Sequence, residues 1–367
     1  MSAPTTTQDK TGPRSSLSPP QVQIGRYLLP LVVLGLAVHF ILPQIVSLEH
    51  SLQVIKGMAL WAVSLAISAQ VLSYLGSGYL LHTIVWITGR RLSIMLGVAI
   101  SLAAASISLV AGGMVGYTAA IYRWVSGKGG NNQGAALAST LPTFFNNGVL
   151  MLIAIIGLVH LLILHDLSTA QAISLVVILF ILGLIVGGVL MADRFRDRTT
   201  TLAVWVGGYW ARLRRKPLRS SSIETALGDL FAAWDTLRAG GWRRPALGAF
   251  INVGFDLLTL FFLFIATGHP VSPGILLAGY GLPLLLGKAA FLVPGGVGVI
   301  EASMTALYAS LGVPGPIAVV VVLSYRVISF WLPFLLGFPI AAHLQRTMNV
   351  PAGSANARRD ISAEKEK

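Results

Sequence analysis

The sequence contains no cysteine, which rules out disulfides, iron–sulfur clusters, thiolate metal sites and cysteine nucleophiles. Charge is scarce too: 11% of the residues are Asp, Glu, Lys or Arg, against about 25% in soluble globular chains. The seven histidines are scattered and form no HExxH pattern, so no metal or cofactor is expected. No nucleophile–base set stands out, and no catalytic residue is assigned. What abounds is apolar surface, with 55% hydrophobic residues and a mean hydropathy of +0.77. Such a chain belongs in a membrane. Its net charge of +13 does not point to nucleic acid, because the basic residues lie between long apolar runs without an aromatic–basic groove pattern.

Residues 1–26 are rich in Ser, Thr, Pro and Gln and read as a disordered cytoplasmic tail. Residues 27–46 form the first apolar segment, without a small-residue cleavage site, and read as a membrane anchor. Further apolar segments cover residues 57–87, 92–122, 134–164, 171–192, 245–267, 274–311 and 316–344. Two of them cannot be continuous rods. Gly112-Gly113 interrupts one and Pro294-Gly295-Gly296 the other, both strong helix breakers.

Short cytoplasmic loops collect Lys and Arg, and this rule decides the threading. If both broken segments enter and leave the bilayer on the same side, 23 of the 26 basic residues fall inside. Lys56 alone lies outside, and Lys288 and Arg326 lie within the membrane. The expected fold is therefore an all-α polytopic membrane protein of about six full spans and two broken re-entrant hairpins, with both termini cytoplasmic. The first hairpin enters from the cytoplasm and the second from outside, which makes an inverted-topology repeat. Residues 27–344 form one membrane domain: a first half 27–192, a basic cytoplasmic loop 193–244 and a second half 245–344. Residues 345–367 are a cytoplasmic tail. The loop carries Arg212, Arg214, Arg215, Lys216 and Arg219 with Trp205, Trp210 and Trp234, read either as charge bias with interfacial tryptophans or as a surface helix that gathers anionic headgroups.

At about 1.5 Å per residue, Asp256, Glu301 and Arg326 each lie about 15 Å into their segments, near the midplane. Lys288, close to the hairpin tip, can approach the same level. Charges at this depth face partners or water. One reading is structural, with Glu301 paired to Arg326 and Asp256 to Lys288. The other adds the backbone: Gly295, Gly296 and Gly298 expose amides after Pro294, at a helix start suited to an anion. On that reading Arg326 and the glycine amides take a headgroup phosphate, and Glu301 or Asp256 serves gating or proton coupling. The first half offers polar counterparts, Gln70 and the pair Asn146-Asn147, at similar depth. Each can equally be an interhelical hydrogen bond. Arg123, closing the hairpin that breaks at Gly112 and Gly113, either takes a headgroup or follows the charge rule.

The run Phe291-Leu-Val-Pro-Gly-Gly-Val-Gly-Val-Ile-Glu301, then Leu311-Gly-Val-Pro314, Tyr325-Arg326 and Trp331-Leu-Pro333, resembles the lysylphosphatidylglycerol synthase transmembrane (flippase-like) family. Gly112-Gly113 with Tyr122-Arg123 is similar to that family's first-half Gly-Gly motif. The resemblance implies movement of aminoacylated phosphatidylglycerol across the cytoplasmic membrane, alongside a separate soluble aminoacyltransferase domain that makes the lipid. Only 23 residues follow Leu344, too few for such a domain, so the transport part alone is expected here. Where relatives commonly place an arginine after the Gly-Gly pair, this chain has Met114, Val115, Gly116 and Tyr117.

The function expected from these readings is a lipid translocase of a bacterial inner membrane, with an anionic or polar lipid as partner. A headgroup enzyme or accessory subunit and a small-solute transporter are the alternatives. The threading is tested by single cysteines in this cysteine-free chain. Ser51→Cys, His165→Cys and Ser272→Cys should react with an impermeant maleimide from outside, and Ser220→Cys only from inside. Outside labelling of Ser220→Cys refutes the threading.

Overall fold

A computed structural model describes residues 48–110, 113–127, 132–164, 169–213, 228, 235, 241–289 and 294–348. The amino-terminal tail, residues 349–367 of the carboxy-terminal tail, the first apolar segment 27–46, Gly112, and Arg214, Arg215, Lys216, Arg219 and Trp234 of the basic loop lie outside them. Among the described residues the chain is helical, with no strand. The helices are α1 (Leu48–Gly57), α2 (Leu60–Ile87), α3 (Ile94–Val110), α4 (Met114–Gly127), α5 (Asn132–Leu164), α6 (Thr169–Arg194), α7 (Arg196–Leu213), α8 (Arg243–Ala266), α9 (Pro273–Ala289), α10 (Val299–Ser310), α11 (Gly315–Arg326) and α12 (Leu332–Met348). A single π-helical turn, Val327–Trp331, joins α11 to α12.

Four stretches are long and apolar enough to cross a bilayer: Leu60–Ile87, Gly134–Ile163, Arg243–Ala266 and Gly315–Thr347. Each is at least about 36 Å long at the helical rise, more than the about 30 Å of hydrocarbon. Large apolar side chains such as Leu60, Leu65, Val71, Ile163 and Leu335 stand exposed on them, as lipid-facing positions do. The broken segments give shorter limbs. Helices α3 and α4 pack together as one hairpin and α9 and α10 as another, with the breaks where Gly113 and Pro294–Gly296 lie.

The packing shows the repeat directly. Exchanging α2 with α8, α3 with α9, α4 with α10, and α5 with the α11–α12 span turns one set of contacts into the other. Helices α2 and α8 form the central pair, while α3 packs on α12 and α9 packs on α5. The close approaches obey the same exchange. A Cβ on Gly76 would lie 2.5 Å from the backbone nitrogen of Asn252, and one on Gly248 2.8 Å from Cα of Leu80. Gly157 likewise meets the backbone of α9 at Ala278, and Gly337 that of α3 at Leu102. Small residues let membrane helices touch backbone to backbone, where dispersion and short polar contacts replace a hydrophobic driving force. Ser73 adds such a contact, its Oγ donating to the Asn252 carbonyl at 2.8 Å, and Ser106 Oγ donates to the Phe334 carbonyl at 2.7 Å.

One core runs through both halves, with Leu80, Ile84, Ile100 and Ile121 of the first against Leu260, Phe264 and Tyr308 of the second. The expected boundaries agree with the helices to within a few residues. The π turn after Arg326 was not expected. It leaves the Ser329 carbonyl to a partner from the other half, the Tyr74 hydroxyl at 2.7 Å. Gly76→Leu should cost about 3 kcal/mol through overpacking. Gly254→Ala, with nothing within 4 Å of its Cβ position, should gain about 0.5 to 1 kcal/mol. Thermal unfolding in detergent measures both.

Candidate functional site

The site is built where the second broken segment resumes as α10. Gly295, Gly296 and Gly298 have φ of 67°, 61° and 83°, left-handed values that only glycine adopts cheaply. A side chain at Gly295 would also strike the Phe330 ring, 2.6 Å from its Cβ position. Helix α10 starts at Val299 and needs its first amides satisfied. Glu301 meets this need with Oε2, which accepts from the Gly298 N–H at 2.6 Å, as the glutamate of a capping box does. Its negative charge also suits the positive end of the helix.

The other oxygen, Oε1, accepts from Arg326 Nε at 2.6 Å. Both residues are 4% exposed. The Arg326 Nη2 donates to the Gly295 carbonyl at 3.2 Å, and its guanidinium carbon lies 4.2 Å from the centre of the Phe330 ring, a cation–π contact. One arginine therefore ties α11, the Gly295 turn and the first turn of α10 together. Its Nη1 has no hydrogen-bond partner among the described residues.

Asp256 of α8 adjoins this pair through Tyr325. Its Oδ2 accepts from the Tyr325 hydroxyl at 2.6 Å and from the Tyr280 hydroxyl at 2.7 Å. Both tyrosines are 2% exposed, and Gln70, Tyr74 and Arg326 all lie within electrostatic range of the Asp256 carboxylate or the tyrosine beside it. Lys288 does not pair with Asp256. Its Nζ donates to Asn147 Oδ1 at 2.5 Å, and its side chain is exposed.

Thus Gly295, Gly298, Glu301, Arg326 and Asp256 come together as one connected network, with Gln70 at its edge. Pro294 and Gly296 belong to the same turn. Lys288 and Asn147 form a second polar group between α9 and α5. The Oδ1 of the adjacent Asn146 is buried without a partner. The repeat relates the two groups, because Asn146 precedes Gly157 by the same number of residues as Arg326 precedes Gly337. The Asn146-Asn147 pair therefore occupies, in the first half, the position that Arg326 holds in the second. Gly113 lies at the first break, with φ 64°. Arg123 is exposed on α4 and is linked to neither group.

Sequence reasoning missed Tyr280, Tyr325 and Tyr74. A signal existed for Tyr280, which sits between Gly279 and Gly281 within an apolar helix, since a buried phenol must find an acceptor. The two glycines let Tyr308 and Ala154 approach the helix backbone on either side of it.

The profile of the family described as the lysylphosphatidylglycerol synthase TM region matches residues 27–337. The chain belongs to that family. Individual relatives within the lysylphosphatidylglycerol synthase TM family match shorter stretches. A UPF0104 membrane protein of Pyrococcus horikoshii is 31% identical over 148 residues, 35% of this chain and 42% of its own length. One of Methanothermobacter thermautotrophicus is 38% identical over 82 residues, 22% of this chain and 24% of its own. Another, of Methanocaldococcus jannaschii, is 29% identical over 116 residues, 31% and 34% of the two chains. The matched stretches span less than half of each relative. Membership makes this a multi-pass membrane protein, and relatives in archaea show that the family is not confined to bacteria.

Arg326→Met leaves Glu301 buried without its cation, and Glu301→Leu leaves Arg326 without its anion. Each should cost about 3 to 5 kcal/mol. The double variant should recover part of that loss. Unfolding midpoints of the four proteins in one detergent provide the cycle, and purely additive losses would show that the pair is not coupled.

Proposed function

We propose that this chain binds a polar lipid with an anionic headgroup near the middle of the bilayer and moves it between leaflets of the cytoplasmic membrane. The observation that carries this reading is the state of Arg326. A guanidinium buried to 4% exposure offers five N–H donors, and the described residues accept from Nε and Nη2 while Nη1 is unclaimed. The Nη1 side of the fork therefore keeps its donors for an acceptor other than those two. A phosphate oxygen fits the remaining donors and the geometry that arginine offers to such groups.

Lys288, exposed and hydrogen-bonded to a neutral amide, supplies a second cation along the same headgroup's way. Glu301 is the internal anion that neutralises Arg326 while no lipid is bound. An arriving phosphate competes with it for the guanidinium, and the Gly295–Gly298 turn is the part of the backbone that moves when it yields. Asp256, fixed by the hydroxyls of Tyr280 and Tyr325, lies on the far side of Tyr325 from Arg326. The family description supports a lipid of the phosphatidylglycerol type as the first candidate.

The test is translocation in reconstituted vesicles that carry fluorescent phosphatidylglycerol, read by dithionite bleaching. The wild-type protein should expose inner-leaflet probe. Arg326→Ala and Glu301→Gln should each lower the rate at least about tenfold, equivalent to about 1.4 kcal/mol of barrier, while gel filtration and helical content stay as in the wild type. Unchanged rates in both folded variants refute the assignment of this site.

A further inference from the structure

Among the described residues, the formal charges that lie deep in the bilayer are Asp256, Glu301, Lys288 and Arg326. Two acids face two bases, so the empty interior is neutral. A headgroup with one phosphodiester adds a further negative charge. At this depth an uncompensated charge is costly, and a proton that enters with the headgroup would cancel it.

The two acids are not equally placed to take that proton. Both oxygens of Glu301 are engaged, Oε1 by Arg326 and Oε2 by the Gly298 amide, and a proton on either would displace a donor. Asp256 differs. Among the described residues no cation lies within ion-pair distance of it, and both tyrosine hydroxyls donate to the same oxygen, Oδ2, at 2.6 and 2.7 Å. Oδ1 can therefore take a proton while both hydroxyls go on donating to Oδ2.

Gln70 of α2 suits either form. Its carboxamide lies beside the Asp256 carboxylate, and its Oε1 is buried without a hydrogen-bond partner. A carboxylate only accepts, so it draws the amide NH₂ and leaves Oε1 over. A carboxylic acid donates, and a half-turn of the same amide presents Oε1 to it. The other titratable groups on the helices around α8 have partners or positions of their own. Tyr74 spends its hydroxyl on the Ser329 carbonyl, with Tyr117 of α4 beside it. Further along α2, Tyr79 and His82 stack on each other. Helix α5 carries His160, which meets α9 at Gly274. Arg243 and Arg244 stand in the first turn of α8, and Lys288 donates to Asn147.

We propose that Asp256 binds one proton for each anionic headgroup that enters, so that lipid and proton cross together and the interior is neutral both empty and loaded. The proposal rests on the translocase reading for its ligand. The step is proton transfer alone: an O–H bond forms at Asp256 with a proton from water on loading, and breaks, returning the proton to water, on release. The coupling is mutual, because acid tightens headgroup binding and a bound headgroup holds the proton. Transport therefore rises as pH falls, and levels off once Asp256 is protonated in the empty protein.

The experiment uses the full-length protein in vesicles, with short-chain fluorescent phosphatidylglycerol added to the outer leaflet and translocation read by albumin extraction at a series of pH values, equal inside and out. The rate should rise by up to about tenfold per pH unit of acidification, the slope of one proton. Asp256→Asn, permanently uncharged, should lose that slope. A trapped pH dye should show the lumen acidifying in step with inward lipid movement. A flat wild-type profile, or a wild-type slope in folded Asp256→Asn, overturns the proposal. If Asp256→Asn does not fold, the dye decides on the wild type, where lipid movement without acidification overturns it equally. Proton uptake by the detergent-solubilised protein, on adding the same lipid in weakly buffered solution, reads the coupling without transport. Uptake without translocation at any pH would refute the proposed function and keep this proposal, and translocation with neither uptake nor slope would do the reverse.

Discussion

Inside a bilayer a broken helix exposes amides and carbonyls that no water reaches, and the chain must answer them with its own groups. Around the Pro294–Gly296 turn the answers are chained together. The Gly298 amide is met by Glu301, the Gly295 carbonyl by Arg326, and the two side chains by each other. None of these contacts is optional once the helix is interrupted, because removing one leaves a buried charge or dipole that the others cannot reach. The interruption, the glutamate at the third helical position and the arginine on the next helix therefore form one device. The same logic governs the π turn just beyond, whose Ser329 carbonyl is met by Tyr74 from the opposite half.

The repeat divides this chemistry unequally. Equivalent backbones meet in equivalent ways, yet the second half holds the arginine, both acids and the lysine, while the first half offers Gln70, Asn146 and Asn147 at related positions. A pair of carboxamides stands where a guanidinium stands in the other half. Symmetric helices thus carry an asymmetric polar interior: one end is strongly charged, and the other consists of neutral groups that hydrogen-bond without fixing a counter-charge. A headgroup crossing such an interior meets a deep cationic point on one side and only amide dipoles on the other.

Much of the fold was legible because the bilayer makes local signals strong. Twenty apolar residues have few alternatives to a spanning helix, and Gly112-Gly113 and Pro294-Gly295-Gly296 interrupt such runs visibly. Depth counting brought Glu301 and Arg326 together for the same reason, since the rise per residue is constant. It failed for Lys288 and Asp256, because depth says nothing about direction around a helix. Asp256 turned to two tyrosines from α9 and α11, and Lys288 to Asn147 of α5. The π turn was illegible for another reason: nothing within Val327–Trp331 demands it, and its support comes from Tyr74, distant in sequence. Gln70 was noticed as polar, but the lack of a partner for its oxygen is a property of the packing alone.

The crossed packing, with α3 on α12 and α5 on α9, bears on how the protein is made. A chain that has emerged from the ribosome only as far as the basic loop has a complete first half in sequence but not in space. Its hairpin limb α3 waits for α12 of the second half, and α5 waits for α9. Until then both display small-residue faces and hydroxyls to lipid or to the insertion machinery. The two halves are therefore woven rather than joined.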